Sequence, residues 1–156
     1  QAAAKGAEAW ARSLAAVAAG LHGAGWYHRD LYLQHVVCAG GPGACADKST
    51  VPPSSGLTML DFGRARTAPW VRRRWFEKDL AALVATAPDE LRQGFAAALI
   101  PAYLEARGLP ALQAPGWARA VGRRSHRMAT RVPRWTDAST REGDSTEGEV
   151  DGRFLR

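Results

Sequence analysis

Only two cysteines, Cys38 and Cys45, occur in the 156 residues. A small secreted disulfide scaffold is therefore excluded, since such domains replace a large core with several bridges. A closed zinc site would need two further ligands around the pair. No apolar run approaches the roughly 18 residues of a membrane span. The alanine-rich start is interrupted by Lys5, Glu8 and Arg12, which also deny it the unbroken apolar stretch of a secretory signal.

Apolar residues make up 46% of the chain, enough for one packed domain and too many for a disordered one. Net charge is +6, from 21 Lys+Arg against 15 Asp+Glu, and nearly all the positive charge is arginine. That balance favours an anionic partner: nucleotide, phosphorylated glycolipid, anionic membrane or nucleic acid. Charge alone does not choose among them, and no nucleic-acid-binding motif is present.

Trp10, Leu14, Val17 and Leu21 fall at helical spacing, so the segment 2–23 reads as an amphipathic helix ended by Gly23 and Gly25. A tight loop follows, then a short strand around 34–38. The Gly, Pro and Ser content of 39–56 marks a surface loop. A second short strand is expected over 57–62. Helices should begin near Glu77, burying Leu80, Leu83 and Val84, and again at Pro88 with Asp89 and Glu90 in the first turn. Pro101 should kink or split the second of these, and Gly108 should cap it. A last helix, 115–131, would turn Trp117, Val121 and Met128 inward and Arg119, Arg123, Arg127 and Arg131 outward. From 136 to 156 the chain is polar and acidic, and a disordered tail is expected.

Two short motifs carry chemistry. His28-Arg29-Asp30 opens a segment that runs to His35, and Asp61-Phe62-Gly63-Arg64 closes the second strand. Each alone is a weak signal, and either aspartate alone reads as a turn residue. Their order is more telling: helix, "HRD" loop, strand, loop, strand, "DFG", helix. That is the chain order of the catalytic lobe of a protein kinase. Phosphoryl transfer needs an in-line acceptor and charge neutralisation more than covalent help. One carboxylate, Asp30, would steer the acceptor hydroxyl, and a second, Asp61, would hold the metal bridging the nucleotide phosphates.

The segment from His28 to His35 has an aromatic, Tyr32, two residues after the aspartate and a histidine five after it. Together with "DFGR" and the run Arg74 to Leu83, "RWFEKDLAAL", it resembles the lipopolysaccharide core sugar kinases that phosphorylate heptose or Kdo. The likeness spans about 10–84. "DFG" itself is closer to ordinary protein kinases than to that family's usual form.

The resemblance implies an α+β, mostly helical fold: the C-terminal lobe of a protein-kinase-like structure over 1–135, with a short two-stranded hairpin at the catalytic loop. It implies ATP with Mg2+ (or Mn2+) as cofactors and a lipid A-core glycolipid as acceptor. The setting would be cytoplasmic, at the inner membrane periphery if the arginine face of the last helix meets anionic lipid. Asp30 would be the catalytic base, Asp61 a metal ligand, and His35 would stand at the second metal position. Neutral imidazole is a poor ligand for magnesium, so His35 could instead hydrogen-bond metal-bound water or a phosphate. Asp79 in "KDL" would hydrogen-bond the backbone of the catalytic loop.

Only 17 residues separate Asp61 from Asp79. A span that short leaves the site open to a sugar and does not cradle a peptide. The arginines at 64, 66, 72, 73 and 74 could then meet acceptor phosphates or carboxylates. No glycine-rich phosphate loop or strand lysine precedes the motifs, and Lys5 sits on a helix. The expectation is a C-lobe whose N-lobe lies elsewhere, with an apolar hinge-facing surface and little activity alone. Two other readings compete: a non-catalytic pseudokinase or anion-binding module, and an aminoglycoside- or choline-type kinase. Arg29 and His35 count against the latter, which usually shows H-G-D with asparagine five residues later.

Overall fold

The computed structural model describes residues 2–38, 56–67 and 73–130. Cys45, Arg72, Arg131, residues 39–55 of the expected loop and the expected tail over 136–156 lie outside these. The architecture is mostly helical α+β, with four helices and two small antiparallel sheets among the described residues.

Helix α1 (Ala2–Gly23) buries a stripe of small residues: Ala7, Ala11, Ala15 and Ala18, joined by Leu14 and His22. Trp10 and Val17 only pack against the core edge. The expected stripe of large residues is thus rotated toward alanine, because α3 packs closely along this helix and small side chains permit that approach. Gly25 leaves the helix at φ +80°, a conformation costly for other residues.

The segment after α1 is nested. Strand β1 (Trp26–Tyr27) pairs with β4 (Arg66–Thr67), and inside this pair β2 (Val36–Cys38) pairs with β3 (Leu57–Met59). The expected hairpin is therefore present, with strands shorter than the spacing suggested. Residues 33–35 and 62–64 form 3-10 turns instead of strand. The outer pair was not expected at all.

Helix α2 (Arg73–Thr86) begins four residues before Glu77, and the Arg73–Glu77 ion pair at 2.8 Å, one turn apart, supports that first turn. Leu80, Ala81, Ala82, Leu83 and Val84 are all buried, so α2 is covered on every side at this level. Helix α3 (Asp89–Ala106) runs through Pro101 without splitting. The carbonyl that proline deprives of its partner belongs to exposed Ala97, on the solvent face, which lowers the cost. Gly108 ends α3 at φ +62°. Its N–H bonds Glu105 O at 2.9 Å and that of Leu109 bonds Leu104 O at 2.8 Å, a Schellman closure.

Helix α4 (Ala114–Ala129) buries Trp117, Val121 and Ser125 against α2 and α3 and exposes Arg119, Arg123 and Arg127, as its periodicity suggests. Among the described residues no helix is long and apolar enough to cross a membrane.

Candidate active site

The nesting of the strands decides where the site lies. Residues 28–35 connect the outer strand β1 to the inner β2, and residues 60–65 connect β3 back to β4. Both connections must therefore emerge side by side at the same end of the ladder. Leu60 ties them together: its N–H donates to His35 O at 2.7 Å, and its carbonyl accepts the His28 Nε2–H at 2.9 Å.

His28 is fully buried, and its ring lies 4.8 Å from that of Phe62. Its Nδ1 has no protein partner among the described residues.

His35 stands between the Asp30 backbone and the Asp61 side chain. The His35 Nδ1–H donates to the Asp30 carbonyl at 2.8 Å, which fixes the tautomer and leaves the Nε2 lone pair free. That Nε2 lies 3.9 Å from Asp61 Oδ2, too far for a hydrogen bond. The Tyr32 ring meets His35 edge-on at 5.7 Å and holds its orientation.

Arg64, three residues after Asp61, closes the arrangement. Its Nη1 reaches Asp30 Oδ1 at 3.1 Å and Oδ2 at 2.9 Å. The Asp30 side chain is 13% exposed and that of Asp61 is 63% exposed. The Asp30 carboxylate is thus held by Arg64, while the Asp61 carboxylate is open to solvent.

Asp61 adopts φ +59°, ψ +59°, a left-handed conformation that aspartate tolerates better than most residues. Arg29 also lies at positive φ, +75°. The cause is visible in Asp79. Its fully buried carboxylate accepts the His28 N–H at 2.6 Å and the Arg29 N–H at 2.8 Å. Two successive amides are aimed at one carboxylate, immediately before Asp30. The scaffold role expected for Asp79 is what the geometry displays.

Sequence reasoning missed what supports Asp79 from behind. His22 Nε2–H donates to Asp79 Oδ2 at 3.2 Å, and the Tyr103 hydroxyl donates to His22 Nδ1 at 2.9 Å. Burial lowers the His22 pKa below its ordinary 6.5, the hydrogen bond and charge of Asp79 opposing it, so the ring is neutral. Burial likewise raises the Tyr103 phenol above its ordinary value. A signal was available for His22, which falls one turn after Ala18 on the buried face of α1. None was available for Tyr103, 81 residues away.

Lys78 was also passed over; its Nζ donates to Arg29 O at 2.6 Å. Burial pulls its ammonium below the ordinary 10.5, against the attraction of Asp30 and Asp79.

The donor set can be tested against a divalent cation. Among the described residues no group of three or more His, Cys, Asp and Glu could hold a metal. An open carboxylate suits a hard cation that takes most of its ligands from nucleotide phosphates and water, and the neighbouring imidazole would bond that water more readily than the ion. Asp61 and His35 fit that arrangement and would not bind a metal tightly alone.

A family model, the lipopolysaccharide kinase (Kdo/WaaP) family, matches residues 1–103, which include every side chain of this arrangement. The chain belongs to the lipopolysaccharide kinase (Kdo/WaaP) family. No curated protein and no solved structure matches it. Family membership makes this a kinase-type chain of lipopolysaccharide biosynthesis, and kinases of this kind use ATP. Val37, Leu60 and Phe62 are exposed large apolar residues.

Proposed function

We propose that the chain is the acceptor-side lobe of a protein-kinase-like phosphotransferase. It moves the terminal phosphate of ATP to a hydroxyl of a lipopolysaccharide inner-core sugar. The observation that carries this reading is the His35 ring, bonded to the Asp30 carbonyl on one side and facing the Asp61 carboxylate on the other. Asp30 orients the acceptor hydroxyl and takes its proton. Asp61, with His35 beside it, would hold a magnesium ion, which would supply positive charge against the transferring phosphate. Arg64 lies between the two carboxylates' loops and meets the negative charge of the phosphoryl group.

A glycine-rich loop and a lysine that grip the nucleotide would complete the reaction. The acceptor is a lipid A-core glycolipid met from the cytoplasmic side, with no role for nucleic acid.

A second reading, a non-catalytic anion-binding module, draws on the Arg64–Asp30 pair, which occupies both oxygens of the base. Labelled ATP, offered with heptosylated lipid A, a protein substrate and an aminoglycoside to a form with an N-lobe, separates the readings. Label in the lipid supports the proposal. Label only in the protein or the aminoglycoside, or in none of the three, contradicts it.

A further inference from the structure

Helices α2 and α4 pack together but leave a cavity of about 250 Å3 bounded by Arg74, Trp75, Lys78 and Arg124. The space is open, and three of its four lining residues carry cationic head groups on apolar stems. We propose that this cavity is an anion subsite that takes a phosphate or carboxylate group carried by the sugar acceptor and so seats the acceptor beside Asp30. The inference rests on the sugar-kinase reading above and names the chemistry of its acceptor.

Each cation is held in place before any ligand arrives. The Trp75 ring stacks on Tyr27 with centroids 5.2 Å apart, and the Arg74 guanidinium lies 4.9 Å from the Trp75 centroid. A guanidinium already resting on an aromatic face loses less freedom when it binds. Arg124 Nε is 3.5 Å from Glu77 Oε2, while Arg73 Nε takes Glu77 Oε1 at 2.8 Å. Two guanidinium groups share one carboxylate, which leaves their remaining N–H groups in surplus. Lys78 spends one donor on Arg29 O and keeps two. Burial pulls its pKa below the ordinary 10.5, and an incoming anion would oppose that shift.

Position follows from the same bond. Lys78 is both a wall of the cavity and a partner of the carbonyl immediately before Asp30, so a group bound there lies against the catalytic loop. The volume is below the ~300–1,000 Å3 typical of drug-sized ligand sites, which suits one charged substituent with part of its ring. A whole glycolipid would not fit.

The test reads binding to the 156-residue chain without ATP. Nuclear magnetic resonance titrations at constant ionic strength compare glucose 6-phosphate, glucuronate and neutral glucose. Saturable shifts of the Trp75 indole N–H and the Arg74 and Arg124 side chains are expected with the anions and not with glucose. The preferred anion tells phosphate from carboxylate as the recognised group.

Arg74→Gln should weaken binding by about tenfold, the scale of one lost charge-assisted hydrogen bond. Arg124→Gln should do the same, and exposed Arg74 provides a variant that keeps the fold if loss of the Glu77 pair does not. Non-saturating shifts that extend equally to Arg119 and Arg123, or unchanged affinity in Arg74→Gln, would overturn the subsite. Anion binding without phosphate transfer in the form with an N-lobe contradicts the kinase reading and leaves the subsite standing. Transfer with an acceptor KM unmoved by Arg74→Gln does the reverse.

Discussion

Asp79 accepts the backbone N–H of Arg29 at 2.8 Å, and Arg29 sits at φ +75°. The carboxylate is fully buried in α2, 50 residues along the chain from the amide it holds. A buried charge persists there because three donors face it, two of them the backbone amides of His28 and Arg29. The loop, in turn, keeps a costly conformation because that charge is there.

Replacing Asp79 with alanine should therefore strand both amides and the His22 N–H. At about 1–3 kcal/mol for each buried group left unmade, the loss is large against ordinary domain stability. Asp79→Asn keeps one acceptor oxygen and should lose less. Urea unfolding of the two variants checks the order, with alanine the less stable or failing to fold.

The neutral His22 gives stability a pH dependence of known sign. Its folded pKa is lowered from 6.5, so below 6.5 the unfolded chain binds a proton that the native chain refuses. Stability should be fully present above 6.5 and fall as the pH drops from there toward the lowered native value. Asp79, Tyr103 and Arg107 are the charged or titratable groups acting on the ring. His22→Gln should remove this part of the slope, as measured by unfolding midpoints between pH 5 and 8. An unchanged slope would assign it to another group.

Tyr103→Phe removes the hydroxyl that donates to His22 Nδ1 and leaves that nitrogen unpaired in the core. A loss of about 1–3 kcal/mol is expected by denaturant unfolding, with the ring's own packing kept.

Much of this was legible in the sequence, and what was not has a physical pattern. The order of Asp30, Asp61 and Asp79, the hairpin between them and the Gly108 cap all rest on local residue types, which a sequence displays directly. The β1–β4 pair has two residues on each side, too few to show any period. The buried face of α1 was misread because alanines, and not Trp10 or Val17, make the close contact with α3. Pro101 obeyed its local rule only until solvent exposure of Ala97 relaxed it. The site's supports were hidden for another reason. Tyr103 and Lys78 act through partners 81 and 49 residues distant, and no local pattern marks a pairing of that length.

Arg64 separates stability from function. Its pair with Asp30 is largely solvent-exposed on the arginine side, and exposed pairs contribute about 0–1 kcal/mol. Arg64→Ala should therefore leave the unfolding midpoint nearly unchanged. Phosphate transfer by a form with an N-lobe should fall by about 10²-fold, the scale of one lost donor to transition-state charge.

The central claim is that Asp30 and Asp61 serve one reaction in different roles. Steady-state transfer from labelled ATP to heptosylated lipid A, alongside magnesium–nucleotide binding, tests it in one pair of variants. Asp30→Ala should lower kcat by about 10²–10⁴-fold with magnesium–nucleotide affinity kept, and Asp61→Ala should lose that affinity. Transfer that survives in Asp30→Ala, or metal–nucleotide binding undiminished in Asp61→Ala, would contradict the account.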